Sequence, residues 1–458
     1  MATSNLLPNR PSAAKPALKG SRLLGLLPSM RKDPIGVLLE ARDLGDVVPL
    51  DFRIRKVFQV NHPDLVKRVL QDNRANYPKS VLYEKMRPAF GNGLLLSEGD
   101  FWAVQRRLIQ PAFAHHRLEG MTRLMVSETL ARVPILSLAA EEKRIVDIAD
   151  EMSALTLSIV VKAMFGTELK EDMSAIAHAV ETLNEHSNHR FYSVIDLPLW
   201  VPTPRNLEAR GALEHLESVV YRIIRERRKA APAASENSDL LDMLLSARYD
   251  DGSAMPERQV RDEVMTIFLA GHETTATSLA WTLMLLDENP IVEENLRAEF
   301  HAVLGERDPV FADMPRLPYL KSVLEESMRV RPPVWVFSRT ALADDMLGDC
   351  RIPKGTAVML SPYAMHRDPR YWEDPEAFQP ERFAAGEAEK RPRYAYFPFG
   401  GGPRICVGSG FAMAEGALVL ACLLRRFRFK KANPGPVGMK PLVTLRPRGG
   451  MPMFVSAM

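Results

Sequence analysis

Phe399-Gly400-Gly401-Gly402-Pro403-Arg404-Ile405-Cys406-Val407-Gly408 decides how the rest of the chain is read. It sets one cysteine behind a run of glycines and ahead of an apolar helix that starts near Gly408 and carries Phe411, Ala412, Ala414, Leu418 and Leu420. Glycines let backbone approach a bound group closely and aim N–H donors at it. A thiolate held there, beside a helix N-terminus and Arg404, has a lowered pKa and is a strong, soft metal ligand. A lone cysteine in an intracellular chain is more often a buried packing residue. The stretch by itself leaves both readings open.

The 458 residues, 46% of them hydrophobic, suffice for one large core. Residues 1–27 read as a mobile, proline-rich leader and residues 28–458 as a single domain. A formal charge of +3 is close to neutral for this length and points to no nucleic-acid partner. Cys350, Cys406 and Cys422 cannot all pair and lack Cys-x-x-Cys spacing, which fits a reducing compartment and argues against a zinc cluster. The longest apolar piece of the leader, residues 23–27, falls far short of the ~20 residues that span a bilayer, and no secretory signal is present. The expectation is a cytoplasmic monomer with no transmembrane anchor. Leu23, Leu24, Leu26 and Leu27 would then cap the body or touch a membrane surface.

Along the chain, residues 46–60 alternate around a basic turn and predict a hairpin. Residues 63–70 predict a short helix after Asn61, and residues 77–97 a long Pro- and Gly-interrupted loop of the functional kind. Trp102 and Arg106, spaced i, i+4, share one face of the next helix. Helical periods then mark roughly 119–132, 147–165, 171–187, 206–230 and 238–247.

The longest helix is expected over residues 256–288, closed by Asn289-Pro290. At 1.5 Å per residue it runs about 45–50 Å and must cross the core. Gly271, Thr274, Thr275 and Thr277 crowd its middle, although Gly and Thr are poor helix formers. A local rule broken in mid-core suggests a functional site. Thr274 can bond back to the carbonyl of Ala270 and open the helix there, although such Ser/Thr bonding is equally a packing device. His272 lies about 200° around the helix from Ala270 and Thr274 and should point elsewhere. His272-Glu273 begins a zinc-protease motif, but position 276 is Ala where the second His would stand.

Glu326 and Arg329, spaced i, i+3, share a helix face, as an ordinary surface pair would. Arg331-Pro332-Pro333 follows them, and Pro380-Glu381-Arg382-Phe383 lies downstream. Residues 334–343 read as strand, with Val336 and Ser338 on one face and Trp335, Phe337 and Arg339 on the other. After the cysteine helix comes the basic run at residues 425–431.

Taken together, in this order, the glycine-cradled cysteine, Ala270-Gly271-His272-Glu273-Thr274-Thr275, Glu-x-x-Arg and Pro-Glu-Arg-Phe resemble the signatures of the cytochrome P-450 family over nearly the whole chain. The resemblance implies a mainly α fold with a small β-rich lobe. Haem b would lie between the long central helix and the cysteine helix, its iron ligated by the Cys406 thiolate. Phe399, Gly402, Arg404 and Gly408 would form the haem loop, and Trp102, Arg106 and Arg339 would bind the propionates. Glu273 and Thr274 would relay protons to dioxygen, while Glu326, Arg329 and Arg382 would lock the core around the loop. The helices on either side of residues 188–204 would be the mobile roof of the site. Leu95, Phe268, Ala270, Val334, Val336, Val443 and Thr444 would line an apolar cavity for a hydrophobic substrate such as a fatty acid or terpenoid.

The implied activity is monooxygenation, with electrons from a separate ferredoxin- or flavodoxin-type donor and its reductase, since the chain ends too soon after the haem loop to hold a flavin domain. The basic run, with Arg107, His115 and His116, would attract an acidic donor. A peroxide-driven peroxygenase and a haem carrier or sensor without turnover are the alternatives; the Glu273 and Thr274 pair counts against both.

Overall fold

The computed structural model describes residues 18, 20–53, 55–167, 173–191, 193, 196–229 and 239–458. Helices dominate, with strands confined to short ribbons. The central helix is Glu257–Glu288, and nearly its whole circumference is buried. A helix in that position has no solvent face to cover, so its apolar residues need not keep to one stripe. Its most extensive neighbour is the helix Ile148–Phe165. Asn289 ends it, and Pro290, whose missing N–H costs nothing in a first turn, starts the next helix Pro290–Leu304. The cysteine helix Ser409–Leu424 packs on His115–Glu141 and on the central helix. Met173–Phe191 and Pro204–Lys229 lie against each other above the central helix.

The expected hairpin forms as Val47–Asp51 paired antiparallel with Lys56–Val60. Lys56–Val60 runs parallel to Ala357–Leu360, which pairs antiparallel with Phe337–Thr340, giving one four-stranded sheet. A second sheet joins Ile145–Asp147, Pro452–Ala457 and Phe427–Lys431, and so ties the C-terminus to the helix Ile148–Phe165. The largest apolar cluster runs from Met86 to Val455.

Three local expectations shift. The strand expected over 334–343 shrinks to Phe337–Thr340, because Pro332-Pro333 supply no N–H and Trp335 turns inward to donate to the Leu442 carbonyl at 2.9 Å. The segment 77–97 is not a plain loop: it contains the turns Val81–Met86 and Arg87–Phe90. The leader is packed only in part where it is described. Leu18 is 4% exposed and bridges Leu50, and Leu26 and Leu27 are buried, whereas Leu23 and Leu24 are exposed and cap nothing. The mobility expected of residues 1–17 and 19 falls outside the described residues. Among the described residues no helix is long and apolar enough to cross a membrane.

Candidate active site

A cavity of about 640 Å³ lies between the central helix and the cysteine loop. Its floor is the loop itself. Residues Gly402–Arg404 form a tight turn, and the Cys406 N–H closes the loop on the Phe399 carbonyl at 3.0 Å. Gly402 has φ +64°, and a Cβ there would stand 2.0 Å from the Leu70 carbonyl oxygen, so no side chain fits. Cys406 opens into the cavity and is exposed only in that sense. Its thiol is pushed up by burial, which outweighs the Gly408 N–H and Arg106 that pull it down. The lowered pKa expected from the sequence is therefore not a property of the loop alone, where the Gly408 N–H and Arg106 only partly offset the cost of placing a thiolate in a low-dielectric pocket.

Two arginines tie the loop to its surroundings. Arg106, in the helix Gly99–Ile109, donates from Nη1 to the Ile405 carbonyl at 2.9 Å and from Nε to Gln110 at 3.1 Å. Arg404 donates to the Ser97 carbonyl at 2.8 Å, pairs with Glu98, and stacks 4.2 Å from the centre of the Trp102 ring. Trp102, Arg106, Arg339, Arg404, Phe399 and Gly408 all line the cavity. Arg106 is thus partly committed to the loop backbone rather than turned wholly to a ligand.

One rim is strongly cationic. Arg339 stacks on Phe337 at 5.6 Å and meets no hydrogen-bond acceptor among the described residues. Burial lowers its pKa. Beside it, Lys79 lies 5.4 Å above the Tyr83 ring, its ammonium pushed well below its ordinary range by burial and by the Arg339 and Arg404 charges. Glu98 is the counter-charge. So many desolvated cations around one carboxylate call for further anions. The two propionates of a haem b held above the thiol would meet that demand.

The opposite wall is the central helix. Thr274 Oγ1 donates to the Ala270 carbonyl at 2.9 Å, as its spacing suggested. Glu273 lies beside it, but its carboxylate is turned from Thr274 toward the roof and the C-terminal turn. It accepts from Thr444 Oγ1 at 2.6 Å and from Asn184 of the helix Met173–Phe191, with Arg446 Nε at 3.8 Å. His272 points out of the cavity, its Nδ1 2.8 Å from the Phe268 carbonyl. Leu95, Ala270, Val334, Val336, Val443 and Thr444 line the cavity. Phe268 does not. It is fully buried in the core, packed on the His272 ring, while Ile267 and Leu269 on either side reach the wall.

Behind the loop, Glu326 and Arg329 of the helix Pro318–Val330 are both 0% exposed and joined by two hydrogen bonds of 2.6 and 2.8 Å. Arg329 also donates to the carbonyls of His366, Pro375 and Ala377, and Glu326 accepts from the Gln379 N–H at 2.8 Å. Arg382 Nε stands 3.5 Å from Glu326. Burial raises the Glu326 pKa, and Arg329 and the Gln379 N–H pull it back.

The basic run does not form a free patch. Arg425 donates to the Gly305 and Arg307 carbonyls, Arg426 pairs with Asp308, Lys431 with Glu288, and Arg107 with Asp250. Arg428 and Lys430 remain exposed. Sequence reasoning missed Lys79, Glu98, Asn184 and Arg446. Glu98 was readable as an acid before a helix start; the others meet the site only through tertiary packing.

The family model described as Cytochrome P450 matches residues 22–453. Cyclooctatin synthase of Streptomyces melanosporofaciens is 35% identical over 428 residues, which cover 93% of this chain and 92% of that protein. Cyclooctat-9-en-7-ol 5-monooxygenase of the same organism is 32% identical, covering 94% and 92%. Cytochrome P450 4F2 of Homo sapiens is 33% identical, covering 87% and 80%. The crystal structure of a mutant cytochrome P450DA heme domain superposes with a TM-score of 0.86 at 26% identity, covering 97% of this chain and 98% of that one. With a thiol floor, a cationic rim and these matches, the chain belongs to the cytochrome P450 family, and is a haem b monooxygenase.

Proposed function

We propose that the chain inserts one oxygen atom of dioxygen into a hydrophobic substrate of the terpenoid or fatty-acid class. The observation that carries this is the largely apolar wall, from Leu94 and Leu95 to Val334, Val336 and Val443, in the same cavity as Thr274. Two relatives named for cyclooctatin and cyclooctat-9-en-7-ol favour the terpenoid arm.

Cys406 would supply the thiolate ligand of a bound haem, and Lys79, Arg339, Arg404, Arg106 and Trp102 would hold its propionates. Haem bound there supplies an iron centre able to reduce and split dioxygen. The remaining steps belong to the chain. The apolar wall excludes water and orients the substrate. The Thr274 hydroxyl holds the proton that dioxygen must receive, and Glu273, on release from Asn184 and Thr444, replenishes it. Residues 28–458 act as one domain. Electrons come from a separate ferredoxin- or flavodoxin-type protein with its reductase, docking in the cytoplasm on a monomer.

The test combines two spectra of haem-loaded protein. Carbon monoxide added after reduction should give the thiolate-type carbonyl band; its absence removes the Cys406 assignment. Terpenoids and fatty acids are then screened for the spectral shift that marks loss of iron-bound water. A response only to polar ligands would overturn the substrate class.

A further inference from the structure

The first turns of the central helix carry charge where no solvent reaches them: Arg261, Asp262 and Glu263 are 4%, 4% and 0% exposed. Their carboxylates are aimed at backbone. Asp262 Oδ2 accepts from the Asn92 N–H at 2.8 Å, and Glu263 Oε2 accepts from the Leu94 N–H at 2.8 Å. Gln259 donates to the Asn92 carbonyl at 3.2 Å and to Glu263 Oε1 at 2.7 Å. The segment so held leads directly into Leu94 and Leu95, which form part of the cavity wall.

The approach is too close for side chains. A Cβ on Gly93 would lie 2.5 Å from the Asp262 carbonyl oxygen and 2.2 Å from Thr266 Oγ1. On the other side, Arg261 holds Asp262 Oδ1 at 2.9 Å and reaches Glu217 of the helix Pro204–Lys229. One short stretch therefore fixes a wall of the cavity on one flank and part of the roof on the other. Apolar packing alone would let the wall slide, whereas a carboxylate accepting a backbone N–H fixes it in register. Glu263 is strained toward neutrality by burial, which pushes it up to about 7 despite the Leu94 and Gln259 donors.

We propose that Asp262 and Glu263 are positioning residues that fix the Leu94–Leu95 wall and thereby set the bulk of ligand the cavity accepts. This rests on reading the cavity as the haem-bearing substrate site. The probes are imidazole, which needs only the iron, and 4-phenylimidazole, whose ring must also fit the wall. Both are titrated by absorbance into haem-loaded wild type, Glu263→Ala and Glu263→Gln, and hydrogen exchange is followed over residues 91–97.

Glu263→Ala should lower the affinity for 4-phenylimidazole relative to imidazole about tenfold, and speed exchange at Leu94 by about tenfold or more, the effect of one lost hydrogen bond to a charged group. Glu263→Gln keeps an acceptor and should hold the ratio within about twofold. Should Glu263→Ala fail to load haem, Gly93→Ala displaces the same segment from the other side and should shift the same ratio. If imidazole binds the variants and the ratio is unchanged, the wall inference is overturned while the haem reading stands. If neither azole shifts the wild-type spectrum, both fall.

Discussion

Replacing Glu326 by Ala should unfasten the haem loop from behind. The pair is fully buried, so the loss is not that of a surface ion pair, which is worth about 0–1 kcal/mol. Stranding a buried charge costs about 3–5 kcal/mol. Arg329 would keep its three carbonyl acceptors, which solvate it in part and place the loss near about 3 kcal/mol. That is a large share of the ~5–15 kcal/mol by which domains are stable. At about 2.1 cal/mol/K per residue, a chain this long has an unfolding entropy of about 1 kcal/mol/K, so the melting temperature should fall by about 3 °C.

Haem content should fall further, because the Gln379 N–H loses its acceptor and the segment carrying Arg382 loosens. The assay is thermal unfolding together with haem absorbance per chain, with Glu326→Gln as the milder comparison. Wild-type melting and full haem loading in Glu326→Ala would refute the reasoning.

Thr274→Ala removes the hydroxyl bonded to Ala270 and should divert electrons into hydrogen peroxide; product-to-peroxide ratios equal to wild type would show that the relay does not use that hydroxyl. Gly402→Ala sets a Cβ against the Leu70 carbonyl and adds about 1–2 kcal/mol of left-handed strain, so it should lower haem loading and reduce the thiolate carbonyl band. Glu263 has its pKa raised from 4.5 to about 7, so between those values the folded chain keeps a proton that the unfolded chain has released. Its contribution to stability is present below pH 4.5 and is lost as pH rises through about 7, about 3 kcal/mol in all. Urea unfolding of wild type and Glu263→Gln at pH 5 and 7.5 should therefore diverge; parallel pH dependence would count against a titrating Glu263.

What could be read from the chain was whatever depends on near neighbours. Gly402 and Cys406 are legible because a turn and a ligand sit in one stretch, and Thr274 because a helix rule is broken locally. The central helix was placed to within a residue or so, since Pro256 and Asn289-Pro290 bracket it. Phe268 was assigned to the wrong face because a fully buried helix gives no polar stripe to orient it. The Glu273 carboxylate was expected beside Thr274, yet Asn184 and Thr444, 89 and 171 residues away, decide where it points. Likewise the basic run looked free because Asp308, Glu288 and Asp250 that neutralise it come from other elements. Side-chain direction under long-range pairing is set by topology, and topology is not written in any one window.

The tie between Arg404 and the Ser97 carbonyl, 307 residues apart, dates the birth of the pocket. During synthesis the Gly99–Ile109 helix leaves the ribosome long before its partner loop exists, and at about 5–20 residues per second the wait is tens of seconds. The cationic rim at Lys79 and the thiol at Cys406 can therefore meet only after about nine-tenths of the chain is made. Until the loop around Cys406 is made, Leu94, Leu95 and their apolar neighbours lack the floor of their cavity, which makes them the surface of a partly made chain most open to aggregation.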